Sequence, residues 1–273
     1  MRPPQAPWEH AEYSLRLLHP LLEELTLNAR PSPQRVIVDG WVLNFGDGLS
    51  RGGNAIFPLY PSSTDVDEKI ARCEELYGQR KHETVFRVSS LTSPHDLDAR
   101  LDARGYTRIA QTSVQVADLG TPPVVRDDAA ITVSTDLDDA WLDDLWTLSA
   151  TPAVFQPSAA EMLRTVALPR AYATLRHGGS TVGIGLAVVE RGYLGLWDII
   201  VAYELRNRGF GQRIMAALLA WGRWQGARHA HLAVLCDNAP ALHLYARVGF
   251  HEVYQYWYRY KRVSFAPPLS SIA

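Results

Sequence analysis

Two segments of this 273-residue chain follow one plan. Ala99 to Ala117 reads ARLDARGYTRIAQTSVQVA, and Leu242 to Tyr260 reads LHLYARVGFHEVYQYWYRY. In each, a helical stretch ends in Leu-x-Ala-Arg, a glycine and an aromatic residue turn the chain, and a long strand-like run follows. The elements ahead of each segment also match: a strand pair, a helix, a strand, a helix, a strand. A repeat of this kind restricts a chain more than its composition does, because one supersecondary unit has to be built twice.

Apolar spacing fills in the elements. The stretch EHAEYSLRLLHPLLEELTLNA carries apolar residues three and four apart and reads as a helix. RVIVDGWVLNFG and GNAIFPLYP read as strands joined by the turn GDGLSRGG. DVDEKIARCEELYGQR is a helix with Asp65 as its N-cap. The run GTPPVVRDDAA, rich in Gly, Pro and charge, breaks the pattern and reads as a linker. After it come a strand (ITVSTD), two helices and three successive strands ending in YLGLWDIIV. QRIMAALLAWGRWQGA is a helix whose buried stripe is expected to be Ile214, Ala217, Leu218 and Trp221. The expected class is α/β, with two mixed-sheet domains in tandem: residues 1–120, a linker over 121–130, and residues 131–273.

Between the last of those strands and that helix lies ELRNRGFGQRIM, Glu204 to Met215. A helix start leaves backbone N–H groups unpaired and carries partial positive charge. Glycines let a ligand approach the backbone closely, and arginines add forked donors that match phosphate oxygens. Strand, Arg206-x-x-Gly209-x-Gly211, helix therefore reads as a pyrophosphate cradle, against the plainer reading of a Gly-containing strand-to-helix turn with surface arginines. A Walker loop requires Gly-Lys-Ser/Thr, which is absent. The dinucleotide fingerprint requires a third glycine where Ile214 stands. At the matching place the first copy has LYPSSTDVDEKI, without glycine and with Asp65, Asp67 and Glu68, and such a loop repels phosphate.

Downstream, VLCDNAPALHLYARVGF sets an Asn at a strand end, a Tyr on a short helix and a Gly-Phe exit. Together with VAYELRNRGFGQRI, this resembles the GNAT family of acyl-CoA-dependent N-acetyltransferases. The resemblance covers roughly Ile131 to Arg262, and its specific parts are Arg206-x-x-Gly209-x-Gly211 and Asn238, Tyr245, Gly249-Phe250. The tandem layout is similar to that of double-GNAT proteins. The fold it implies is two GNAT-like mixed-sheet domains, the C-terminal one complete and the N-terminal one degenerate.

The resemblance also implies roles. Arg206, Asn207, Arg208, Gly209, Phe210 and Gly211 would bind the pyrophosphate of acetyl-CoA, and Ile199, Ile200 and Val201 would pair their backbone with the pantetheine arm. Asn238 has two readings, a hydrogen bond to pantetheine and an N-cap. Tyr245 would protonate the departing thiolate; the first copy has Asp102 there. Where some family members place a Glu, this chain has Ala233. Asp198, set among apolar neighbours that favour a raised pKa, is then the candidate base, against the reading of a buried, hydrogen-bonded Asp that only orients substrate. The reaction implied is transfer of acetyl to a primary amine by direct attack. The alternatives are a non-catalytic acyl-CoA sensor or scaffold, and a nucleotide-dependent enzyme.

His229 and His231 alternate on one strand and share a face, but no further ligands are suggested nearby, so no metal is expected. Trp141, Trp146, Tyr193, Trp197, Tyr256 and Trp257 read mostly as core, with some free to wall an acceptor pocket. A formal net charge of −2 argues against a general nucleic-acid binder. Only two cysteines occur, Cys73 and Cys236, and Cys236 reads as buried strand. That usage fits a cytoplasmic protein. The N-terminal residues lack an apolar signal core, and no apolar run reaches the roughly 20 residues of a membrane helix. The acceptor's identity and the oligomeric state are not legible.

Overall fold

The structure, a computed structural model, describes residues 13–46, 51–120 and 130–262. The linker expected at 121–130 falls almost wholly outside them, as do residues 47–50 of the expected turn. The chain forms two compact units. One comprises Met1–Pro33 with Thr112–Gln255; the other comprises Gln34–Gln111 with Tyr256–Ala273.

The smaller unit starts with a hairpin, β1 (Gln34–Val38) and β2 (Trp41–Phe45). Asp39 and Gly40 turn between them with φ of +41° and +83°, the Asp-Gly signature of a two-residue hairpin. Apolar spacing alone predicts a single strand across this stretch, because the residues flanking the turn are apolar on both sides. A Cβ at Gly40 would lie 2.7 Å from the Pro61 carbonyl oxygen, so glycine is needed there. β3 (Ile56–Pro58), α2 (Val66–Gln79), β4 (Thr84–Ser89) and α3 (Leu97–Ala103) follow. The strand order is β1-β2-β3-β4 and then the end of β11 (His251–Lys261). Trp41, Ile56, Ile70, Phe86, Leu97 and Leu101 fill the core.

Carboxylates occupy the loop entering α2. Asp65 caps the helix, accepting from the Asp67 and Glu68 amides. Asp39 accepts from the amides of Ser63 and Thr64 and from both hydroxyls. Those bonds, the Thr64 hydroxyl first, hold its carboxyl below the usual range. Asp102, at the place matching Tyr245, pairs with Arg259 Nη1 at 2.5 Å. Arg259 also grips Asp98 through two nitrogens at 2.8 Å each.

The larger unit has the strand order β5 (Thr107–Asp118, from Thr112), β10 (His229–Leu235), β9 (Tyr193–Val201), β8 (Ser180–Glu190), β7 (Arg170–His177), β6 (Ile131–Ser134). Its helices are α1 (Tyr13–Ala29), α4 (Asp139–Ser149), α5 (Gln156–Thr165), α6 (Phe210–Trp224) and α7 (Ala239–Arg247). α6 packs on β7, β8 and β9. Of the stripe expected on it, Ile214 and Leu218 are buried, while Ala217 and Trp221 are half-buried; Met215, Leu219 and Gly222 complete the buried face. A Cβ at Gly222 would stand 2.6 Å from Leu194 Cδ2, so the helix seats directly on β9. α1 packs on β9, and α4 on β8 and β9. Trp141 of α4 meets Tyr172 edge-on at 5.0 Å. Tyr172 alternates along β7 with Ala171 and Ala173, which belong to the α6 core, so α4 covers the face opposite α6.

This assembly differs from a linear division at 120 and 131. Thr112–Asp118 of β5 pair antiparallel with β10, and Tyr256–Lys261 of β11 pair antiparallel with β4. Each sheet takes a strand from the other half of the sequence, and α1, first in the chain, joins the larger unit. The element order expected from the repeat runs through each half of the sequence, but its closing strand, β5 or β11, pairs in the other sheet; each sheet has one parallel step (β3 to β4, β9 to β10). Among the described residues no helix is long and apolar enough to cross a membrane.

Candidate active site

The parallel ladder of β9 and β10 holds Tyr193–Gly195 against His229–His231 and stops there. Both strands continue, to Val201 and Leu235, without pairing to one another. On its other side β9 slips against β8: Leu186 faces Trp197 and Ile184 faces Ile200, so Asp198 and Ile199 stand together against Gly185. This is a β-bulge, which bends a strand and re-aims its side chains. Asp198 sits in it with φ of +51°, a conformation disfavoured for a residue with a Cβ. A cleft therefore opens beside Ile199, Ile200 and Val201.

The Gly-Arg loop closes one end of this cleft. Val201 leads through a short 3-10 turn (Tyr203–Leu205) to Arg206, whose Nε donates to the Val201 carbonyl at 3.3 Å. Its guanidinium lies 5.1 Å from the Tyr203 ring. Asn207 and Gly209 take left-handed φ of +61° and +81°. Arg206, Asn207, Arg208 and Gly209 are all exposed. Gly209 precedes α6, and no side chain caps that helix. Asp65, Asp138 and Asn238 do cap α2, α4 and α7. Phe210 departs from the expected ligand set: its side chain is buried and stacks at 5.3 Å from His177, leaving only its amide at the loop. Gly211 has a packing duty, since a Cβ there would lie 3.0 Å from Leu244 Cδ2 on α7.

α7 starts at Asn238, whose side chain accepts from the Ala241 amide at 3.3 Å, so the capping reading holds. One helical turn past Ala241, Tyr245 packs against the α6 core with Phe250, ring centroids 6.1 Å apart. Burial raises its pKa, which keeps the phenol protonated. Its hydroxyl makes no hydrogen bond among the described residues. Cys236 lies just past the end of β10 and is half-buried rather than inside a strand.

The opposite face of β9 and β10 brings together groups that lie far apart in the sequence. Asp198 meets Arg30, at the end of α1, with Oδ2 2.6 Å from Nη1; both side chains are about a quarter exposed. The apolar surroundings expected from its sequence neighbours are thus not what its carboxylate meets. Trp197 folds back over Gly195, where a Cβ would fall 1.9 Å from the indole Cη2 and 2.8 Å from His231 Nε2. The indole meets the His231 ring edge-on at 5.5 Å. Burial depresses His231 to about 4, against an opposing pull from Glu23. Buried Glu23 of α1 accepts from the Tyr254 hydroxyl at 2.7 Å, and Tyr254 meets His19 edge-on at 4.8 Å. Glu23 was detectable as a carboxylate inside the Leu-rich run LLEELTL. Nothing local in the sequence marked Arg30.

Ala233 occupies an exposed place on this same stretch of β10 and offers no acid-base group. Of the aromatics singled out from sequence, Trp197 is at the cleft, Trp141 is core, Tyr193 stacks on His229 at 5.0 Å, and Tyr256 and Trp257 belong to the smaller unit. Among the described residues no group of three His, Cys, Asp or Glu could hold a metal ion.

The family model described as "Probable histone acetyltransferase Rv0428c C-terminal" matches residues 21–260. The uncharacterized N-acetyltransferase YobR of Bacillus subtilis (strain 168) is 24% identical over 246 residues, spanning 88% of this chain and 98% of YobR. A GCN5-related N-acetyltransferase from Kribbella flavida superposes with a TM-score of 0.66 at 15% identity, over 92% of this chain and 96% of that one. A tandem GNAT protein from the clavulanic acid biosynthesis pathway superposes with a TM-score of 0.58 at 17% identity, over 96% and 91%. At such identities the two superpositions establish a shared fold.

Proposed function

The chain belongs to this acetyltransferase family, within the GNAT N-acetyltransferases, and on that premise we propose that it moves acetyl from acetyl-CoA to a primary amine by direct attack. The observation that supports this most is the cleft where β9 leaves β10, ending at a helix start whose amides no side chain caps. In this reading the pyrophosphate rests on the Gly209–Gly211 amides. Arg206, its Nε committed to Val201, offers its terminal nitrogens, and Arg208 adds charge. The pantetheine arm replaces the missing β10 pairing along Ile199–Val201. Asn238 serves as cap, and its remaining amide valence is available to the arm.

The amine nitrogen must first lose a proton. Its lone pair then forms a bond to the thioester carbonyl carbon; the nitrogen, now cationic in the tetrahedral intermediate, gives a second proton to solvent, and the C–S bond breaks as the intermediate collapses to the amide. Tyr245, kept protonated by burial, donates its proton to the departing thiolate. Asp198 holds the incoming ammonium at the bulge, and solvent removes the proton.

Tyr245→Phe tests the assignment. It removes one hydroxyl that has no hydrogen-bond partner among the described residues, so melting temperature and acetyl-CoA affinity should stay near those of the parent. The turnover number should fall about 100-fold or more, the scale of a lost general acid. The loss should shrink with donors whose thiol is more acidic. An unchanged rate would take Tyr245 out of the mechanism.

A further inference from the structure

The ion pair between Arg30 and Asp198 sits at the bulge, on the face of β9 opposite α6 and reached from α1. Its position there matters for the acceptor. Tyr245 and the helix that carries it pack with α6 on one face, so an amine attacking the thioester from across the sheet meets Trp197, Asp198 and Arg30 first. We propose that this pair selects an acceptor whose amine and carboxylate are one carbon apart, the head group of a free α-amino acid. The inference rests on the acetyl-transfer reading above.

Charge decides between acceptor classes. Asp198 alone would attract any ammonium group. With a guanidinium nitrogen 2.6 Å from its Oδ2, an ammonium that reaches Asp198 also comes beside Arg30. A simple amine, a polyamine or a lysine side chain would then either sit against a like charge or strip Arg30 of its partner, leaving a half-buried cation unpaired. A head group bearing both charges avoids both outcomes. Its ammonium binds Asp198 and its carboxylate takes the guanidinium fork, so the original pair opens into two pairs with every charge compensated. Asp198 is kept in a disfavoured left-handed conformation, as strained residues at ligand clamps often are. Trp197, locked over Gly195 against His231, gives the adjoining wall a fixed apolar surface for the acceptor's side chain.

The test uses the full chain with acetyl-CoA and follows release of free CoA thiol. The acceptors are a set of L-amino acids, the matched amino-acid amides, the matched decarboxylated amines, spermidine, and a terminally blocked lysine peptide. At least one amino acid should exceed its amide and its amine in kcat/KM by about tenfold or more, the scale of one lost charge-assisted contact. Arg30→Gln should raise KM for that amino acid by a similar factor, leave kcat nearly unchanged and erase the preference over the amide. Arg30→Lys, which keeps the charge but not the fork, should fall between. Release from amides, amines or the peptide with the amino acids inert would overturn this inference and leave acetyl transfer standing. Release from nothing, with acetyl-CoA still bound, would overturn both. An unchanged KM in a folded Arg30→Gln chain would also overturn the role of the pair.

Discussion

Replacing Gly209 by Ala separates the loop's cost to folding from its use in binding. Gly209 has φ of +81°, and an added Cβ would meet no atom within 4 Å. The change therefore introduces no clash, only backbone strain. Forcing an L-residue into the left-handed region costs about 1–2 kcal/mol, and the stiffer unfolded chain returns about 0.4–1 kcal/mol. The net loss is about 1 kcal/mol, a drop in melting temperature of about 2–4 °C for a protein of this size. Gly226, just past the end of α6, supplies the control: its φ is +85° and its Cβ position is equally empty. Gly226→Ala should lower melting by the same amount. Binding should tell the two apart. A methyl group in the cradle pushes a phosphate off one amide donor, worth about 1.5–3 kcal/mol when the acceptor is charged, so acetyl-CoA affinity should fall about tenfold to a hundredfold. Differential scanning calorimetry without ligand and titration calorimetry with acetyl-CoA make the comparison. Equal dissociation constants for Gly209→Ala and Gly226→Ala would refute the cradle.

Burial holds His231 at about 4, against 6.5 for an ordinary histidine. Between those values the unfolded chain binds the proton and the folded chain does not, so the stabilisation is complete above about pH 6.5 and declines as pH falls toward 4. The difference amounts to about 3 kcal/mol; urea midpoints at pH 5 and pH 7 should differ, and His231→Leu should narrow the gap. One acetyl-CoA per chain is expected, because Asp65 already occupies the amides at the start of α2; titration calorimetry reading two sites would overturn this. Residues 131–273 produced alone should fail to fold or bind acetyl-CoA, since β10 then lacks β5 and β9 lacks α1. A soluble, binding-competent fragment, seen by circular dichroism and calorimetry, would show the borrowed elements to be dispensable.

What could be foreseen followed the range of each signal. The Gly-Arg loop, the caps at Asp65 and Asn238, and the Leu-x-Ala-Arg helices are local patterns; the loop does stand at the start of α6, both caps form, and both helices are present. The Asp39-Gly40 turn is equally local, but the apolar residues on both sides of it run together as one strand in the sequence pattern. The pairing of β5 with β10 and of β11 with β4 carries no local mark: strand partners are chosen by register between distant segments. For the same reason the amphipathic pattern of α1 announced a helix but not the sheet it covers. Asp198 was visible as a polar residue among apolar ones, yet its partner lies 168 residues earlier and its bulge depends on β8.

The exchanged strands also bear on how the polypeptide matures during synthesis. β4 emerges early, but the strand that completes its edge is the last described one to be made. Until then the nascent smaller unit presents an open row of amides and carbonyls, a template for pairing with a stranger. Contacts between such remote segments slow the search for the native state. Chaperone dependence during translation, and poor refolding from denaturant compared with yield in the cell, are the signs to expect of that delay.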